Sequence, residues 1–371
     1  MQTESLTIYP AAPGQHYQLQ VLRFGADDAP QKVYIQAALH ADEVPALLVA
    51  QELKRLFTQL EAAGLLVGHV VLVPYANPIG LSQHVMTQHQ GRFDLQDGVN
   101  FNRAYPDLTA SVATAVTGRL VADARANTRL IREALRKAAG AQPASTTAQG
   151  LKKHLLRLAV DADIVLDLHC DNEAVMHVYA LSEQVDIAKQ LAARLGAQAL
   201  LLASNSGAAP FDESCSRPWL KLQQQFAEVP IDLACFCATV ELRGETDVSH
   251  EQASQDASAI VEFLRDRGIV GGPLSVPPAA SCEATPLAAS EPIVAPSSGV
   301  VVFRAEVGDQ VSAGTVIAEL VDVDTGVTAP LHCQSSGTLY ARCSTRWAYP
   351  GKNLAKIAGT TLVRTGKLLN P

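Results

Sequence analysis

The chain has 371 residues, 48% of them apolar and 18% charged, which is enough to bury one large core with a smaller unit beside it and excludes a disordered tail or a collagen-like fibre. Lys and Arg number 29 against 37 Asp and Glu, a net charge of -8 without any basic block, so nucleic acid is not an expected partner. No stretch reads as a membrane span, MQTESLTIYP lacks the basic start of a secretory signal, and seven cysteines without a C-x-x-C pair fit a reducing cytoplasm rather than a disulfide framework or a thiolate metal site.

Along the chain, apolar runs of strand length alternate with stretches of helical period. VYIQAAL (33–39) precedes a helical stretch at 44–62, and VVLVPYA (70–76) precedes others at 112–138 and 150–160. IVLDLH (164–169) and AVMHVYAL (174–181) lead to a helix at 184–195, QALLLA (198–203) to one at 216–228, and CFCATVEL (235–242) to one at 250–267. Strands apolar on both faces and separated by helices predict a three-layer α/β/α domain over residues 1–270, built on a mixed, largely parallel sheet. Residues 271–291 are rich in Pro and Ala, show no apolar period and read as a linker. Over 292–371 short β-rich runs take over, with SSG at 297–299 recurring at 335–337 and GTVIAEL (314–320) recurring as GKNLAKI (351–357). Two copies of a strand-turn-strand unit predict a small C-terminal all-β domain.

The chemistry-bearing residues cluster at strand ends. His40 and Glu43 follow the first apolar run at a spacing that brings both side chains within about 5–6 Å, so both can reach one Zn²⁺. His169 ends IVLDLH and supplies a third ligand, because ligands at the carboxyl ends of parallel strands converge in one crevice. Two histidines and a glutamate leave a fourth position for water, as catalytic zinc requires. Asp167 shares a strand face with His169 and can orient it. Glu241, alone among uncharged residues from Leu233 to Val240, is the candidate base, with a pairing to Arg243 as the structural alternative. In GRFDLQDGVNFNRAYPD (91–107), Asn100, Asn102 and Arg103 are candidates to hold an anionic substrate, and Arg92 is a second cation, for an oxyanion. Arg217 in the loop GAAPFDESCSRPW (207–219) is a candidate to line an acyl pocket, and His177 and Tyr179 to border the site.

In that order, H-x-x-E, N-x-N-R, D-L-H and a strand glutamate resemble the succinylglutamate desuccinylase/aspartoacylase family of zinc carboxypeptidase-like hydrolases over about residues 30–270, and the C-terminal β domain is similar to that family's C-terminal region. The resemblance implies one zinc per chain on His40, Glu43 and His169, a substrate carboxylate on Asn102 and Arg103, and Glu241 as base. It implies a zinc amidohydrolase that removes an acyl group from an N-acyl amino acid or related small carboxylic acid, with that small molecule as partner and self-association left open. The segment APSSGVVVFRAEVGDQVSAGTVIAELVDV is also similar to a biotinyl/lipoyl hammerhead, in architecture only, since VDTGVTAPLHCQ offers no lysine for a prosthetic group. The competing readings are a zinc metallocarboxypeptidase acting on peptides and a binding or scaffold protein with a vestigial zinc site. The intact Glu241 argues against the second.

Overall fold

The computed structural model describes residues 1–369. An antiparallel pair, β1 (Gln2–Thr7) and β2 (Gln18–Phe24), opens the chain ahead of the predicted strands. Then come β3 (Lys32–Ala37), α1 (Pro45–Ala62), β4 (His69–Val73), the short turn α2 (Pro78–Leu81) and a hairpin, β5 (His84–Val85) with β6 (Gln88–His89). The single helix expected at 112–138 is two, α3 (Thr109–Val116) and α4 (Ala124–Gly140). They are separated where Gly118 adopts a positive φ of 72° and Asp123 caps α4 through the Arg125 and Ala126 N–H groups. After α5 (Thr147–Ala159) follow β7 (Ile164–Asp171), β8 (Glu173–Ala174), β9 (His177–Ala180), α6 (Val185–Leu195), β10 (Ala199–Leu202), α7 (Phe211–Gln225), β11 (Phe236–Gly244) and α8 (His250–Asp266). Helix α7 starts five residues earlier than its period suggested, because Pro210 precedes it and Asp212 and Glu213 complement the dipole of its first turn.

The main sheet has nine strands in the order β1-β2-β4-β3-β7-β11-β9-β10-β12, where β12 (Ala284–Pro286) lies inside the stretch read as linker and pairs with β10 at the edge. Pairings β4-β3-β7-β11 and β9-β10-β12 are parallel, whereas β1-β2, β2-β4 and β11-β9 are antiparallel. Alternate residues of a strand enter opposite cores. Tyr34 and Val165 pack with helices α3, α4, α5 and α7, while Ile35 and Leu166 pack with α1, α6 and α8. Burial on both faces explains why these strands are continuously apolar.

Beyond β12, the strands β13 (Ser290–Val294), β14 (Gly299–Phe303), β15 (Gln310–Val311), β16 (Val316–Val321), β17 (Thr328–His332), β18 (Gly337–Arg342), β19 (Trp347–Ala348) and β20 (Asn353–Gly359) form two small antiparallel sheets. One runs β13-β20-β18-β15, the other β17-β16-β14-β19. The repeated motifs fall on equivalent strands: β14 and β18 begin at the glycine of each SSG, and β16 and β20 carry the GTVIAEL and GKNLAKI copies. Strand β8, between β7 and β9 in the chain, pairs with β18, and Glu173 bridges Arg342 (2.6 Å) and Arg346 across that seam. Among the described residues no helix is long and apolar enough to cross a membrane.

Candidate active site

His40 and Glu43 lie on the turn between β3 and α1. Ala38 enters that turn in the left-handed region (φ 56°), the Glu43 N–H donates back to the His40 carbonyl (3.2 Å), and Pro45 starts the helix. The turn is seated on Gly91, whose carbonyl accepts the Ala41 N–H at 3.0 Å. His169 sits near the carboxyl end of β7, and Glu241 on the adjacent parallel strand β11 is its direct register partner. The carboxyl ends of three neighbouring strands thus deliver the side chains to one crevice.

Glu43 stands between the two imidazoles. Its Oε1 is 2.9 Å from His40 Nδ1 and its Oε2 is 2.6 Å from His169 Nδ1, and one donor atom from each residue lies within 4.8 Å of the others. The outer ring nitrogens are held by acceptors. His40 Nε2–H donates to Asn100 Oδ1 (2.9 Å), an oxygen identified by the Asn102 N–H it also accepts (2.8 Å). His169 Nε2 is 3.0 Å from Asp167 Oδ2, and Asp167 is fixed in turn by Gln36 (2.9 Å), which accepts from the Tyr34 hydroxyl (2.8 Å). Both Nδ1 atoms face the Glu43 carboxylate, and Arg92 Nη1 lies 3.2 Å from His40 Nδ1, so the three donor atoms are gathered where one cation can be shared among them. Burial and the Arg92 guanidinium lower His40 to about 4, so this ring is neutral and ready to act as a ligand near pH 7. Burial alone would lower His169, but the Asp167 and Glu43 carboxylates outweigh it and raise its proton affinity. Two imidazoles and one carboxylate, each braced from behind, match the donor set of an open divalent-metal site.

Around the cluster the sequence candidates take different places. Arg92 Nη1 lies 3.1 Å from Glu43 Oε1 and lines the pocket, as does Arg103, whose Nη1 donates to the Asn102 carbonyl (2.8 Å). Asn102 lines the pocket too, but its amide is engaged: Oδ1 accepts the Phe211 N–H (2.8 Å) and Nδ2 stands 3.3 Å from His169 Nε2. Asn100, expected at the substrate, is absent from the pocket wall because its side chain is turned back to hold His40. The loop bearing these residues is pinned by Lys152 of α5, which sequence reasoning missed. Its buried ammonium donates to the Asn100 and Arg103 carbonyls (3.0 and 2.7 Å) and lies over the Tyr105 ring.

Glu241 does not pair with Arg243. Arg243 takes the left-handed region (φ 68°) at a bulge in β11 and turns away to Asp256. Glu241 Oε2 is enclosed without a hydrogen-bond partner, and burial, reinforced by Glu43, pushes the carboxyl up to about 8. Arg217 does not line the pocket. It faces Glu213 on the next turn of α7 (3.4 Å), because the segment read as a loop is helical there. Of the strand pair on β9, Tyr179 reaches the pocket, whereas His177 is fully buried against Tyr179 and Tyr340. Other walls came without warning. Asp212 and Glu213 enter from α7, and Tyr340, Lys356 and Arg364 from beyond residue 291, Lys356 being tied to Asp171 of β7. The acidic pair in FDES was a visible signal for the first two. Nothing local marks the others, since contacts between distant segments, such as the β8-β18 pairing and the Lys356–Asp171 ion pair, bring them to the site.

The sequence profile of the succinylglutamate desuccinylase/aspartoacylase catalytic domain matches residues 29–267. A comparison with curated proteins finds no match. Among solved structures, a protein described as of the succinylglutamate desuccinylase/aspartoacylase family from Shewanella amazonensis SB2B is 25% identical, with 96% of this chain and 98% of that one covered at a TM-score of 0.85. A similarly described protein from Shewanella frigidimarina NCIMB 400 is 24% identical (96% and 97% covered, TM-score 0.85). The product-bound ectoine utilization protein EutE (DoeB) from Ruegeria pomeroyi shares the fold at 15% identity (97% and 95% covered, TM-score 0.67). The profile runs without a break from β3 through α8, across every strand that carries the crevice, and on that match the chain belongs to the succinylglutamate desuccinylase/aspartoacylase family of hydrolases.

Proposed function

We propose that the protein is a zinc-dependent amidohydrolase that removes an acyl group from an N-acyl amino acid or a related small carboxylic acid. The observation that carries this reading is the juxtaposition of the His40, Glu43 and His169 donors with an enclosed, unpartnered Glu241 on the neighbouring strand. His40, Glu43 and His169 would hold the ion, which when bound polarises a carbonyl and lowers the pKa of water to about 7. Glu241, with its raised proton affinity and a free Oε2, accepts the proton of the attacking water and returns it to the leaving amine. Arg92 sets positive charge beside the carbonyl oxygen as it becomes an oxyanion. Arg103 presents a planar fork to a substrate carboxylate, and Asn102 keeps the loop in place by bonding to Phe211. Tyr340, Asn353, Lys356 and Arg364 wall the same pocket, which favours a small substrate over the extended peptide of a metallocarboxypeptidase.

The test is a panel of N-acetyl and N-succinyl amino acids beside C-terminal dipeptides, run on protein of measured zinc content. Release of free amine from the acylated amino acids is the expected result. Cleavage of the dipeptides alone would overturn it, as would zinc remaining below about 0.2 per chain after zinc is supplied.

A further inference from the structure

We propose that Arg364 forms a second anion subsite at the end of the pocket remote from the His40, Glu43 and His169 donors, where it takes a carboxylate borne on an aliphatic chain. This rests on the deacylase reading above and narrows its substrate class.

The pocket runs across the sheet rather than along one strand. Thr239 of β11, Tyr179 of β9 and Leu201 of β10 are successive register partners, so their side chains share one face, and all three line the pocket. Thr239 also pairs with Asp167 of β7, which sets the near end of this floor beside the strand that carries His169. At about 4.8 Å per strand, the floor from β7 to β10 spans about 14 Å. At its far end Leu201 packs with Leu287 and Leu368, and Ala203 and Leu369 lie against them, so the wall there is apolar. Arg364 is set at that end by its backbone. The Val363 and Arg364 N–H groups both donate to the Ala288 carbonyl (3.0 Å each), and the Leu368 N–H donates to the Ser206 carbonyl (2.8 Å), which pins the segment at two points.

The other cations on the wall are engaged. Arg92 faces Glu43 at 3.1 Å, Lys356 is joined to Asp171, and Arg103 donates to the Asn102 carbonyl. Arg364 lines the pocket half-buried, and among the described residues its guanidinium has no hydrogen-bond or ion-pair partner. A guanidinium partly withdrawn from water among leucines loses hydration that an anion replaces, and its planar fork suits a carboxylate. That carboxylate is not beside the scissile bond, because the donor cluster lies at the other end of the floor. Methylenes that cross Tyr179 and Leu201 and rest on Leu287 and Leu368 join it to the amide. Two parts of an N-acyl amino acid can bear such a group: the far end of a dicarboxylic acyl chain, or the side chain of the amino-acid half.

Matched pairs of substrates read the charge at that end. On the acyl side, N-adipoylglycine and N-suberoylglycine are compared with N-hexanoylglycine and N-octanoylglycine, which have the same chain lengths and a methyl end. On the amine side, N-acetylglutamate and N-acetyl-2-aminoadipate are compared with their side-chain amides. In at least one set the zinc-loaded enzyme should prefer the charged member by roughly tenfold or more in kcat/KM, and Arg364→Gln should abolish that preference at unchanged zinc content. The set that shows it identifies which half of the substrate reaches Arg364. Equal turnover within every pair, a preference for the uncharged members, or a preference that survives Arg364→Gln overturns the inference and leaves the deacylase reading intact. No turnover of any N-acyl amino acid overturns both. Should that variant fail to fold, Arg364→Lys takes its place. The charge then stays and the planar fork is lost, so the preference should fall by at least about threefold, and an unchanged preference overturns the inference.

Discussion

Glu241 and Lys152 show how much a single side chain owes to what surrounds it. Strand geometry puts Glu241 opposite His169, and enclosure by its neighbours raises its proton affinity, so one carboxylate can both take and return a proton. Glu241→Gln should keep fold and zinc and lose about 10²–10⁴-fold in kcat. Steady-state kinetics beside metal analysis checks this, and near wild-type turnover would show the residue to be structural. Lys152 acts through backbone carbonyls, and burial lowers its ammonium to about 8. Lys152→Met leaves the Asn100 and Arg103 carbonyls without their donor, a loss of about 1–3 kcal/mol. Because those carbonyls belong to the loop carrying Arg103, the expected effect is a KM raised roughly tenfold with kcat less affected, partly rescued by Lys152→Arg. An unchanged KM with only a lower melting temperature would confine Lys152 to stability.

At the scale of the element, the turn between β3 and α1 is set by what it rests on. A Cβ on Gly91 would meet the Asp42 amide and the Ala41 backbone, so Gly91→Ala has to displace the turn that carries His40 and Glu43. Zinc affinity should fall by about 10–100-fold, the range for disturbing the supports of metal ligands, as read by competition with a chromogenic chelator. Retained affinity would mean that the turn tolerates the shift. Apolar period was enough to find β3, β7 and β11, because each is buried on both faces. It failed at α7, where the first turn is governed by Pro210 and two acidic residues rather than by an apolar stripe, and at 112–138, where a glycine at positive φ separates two helices.

For the molecule as a whole, the metal and the C-terminal sheets both bear on the pocket. A ligand bound only by the folded state stabilises it by about 2.7 kcal/mol at a concentration 100 times its Kd. Zinc should therefore raise the thermal midpoint and a chelator should lower it, and a midpoint indifferent to both would argue against the cluster as a metal site. Lys356 of β20 joins Asp171 of β7 and walls the pocket. Lys356→Met should leave the half-buried Asp171 without its cation, lowering stability by roughly 1–3 kcal/mol. Chemical denaturation measures this directly, and a loss below about 1 kcal/mol would make the pair a surface contact.

The sequence alone was sufficient for the alternation of strands and helices, the H-x-x-E turn, the D-L-H strand end and the family resemblance, because each depends on residues a few positions apart and on backbone periods of 2.0 and 3.6. Tertiary structure decided which carboxylates are left without partners. It turned Asn100 onto His40, sent Arg243 to Asp256 instead of Glu241, and left Asp212 Oδ1 without a hydrogen-bond partner. It also carried Lys356 and Arg364 to the pocket from the far end of the chain. Such outcomes depend on contacts between segments far apart in sequence, and on the balance between burial and charge that arises only when those segments meet.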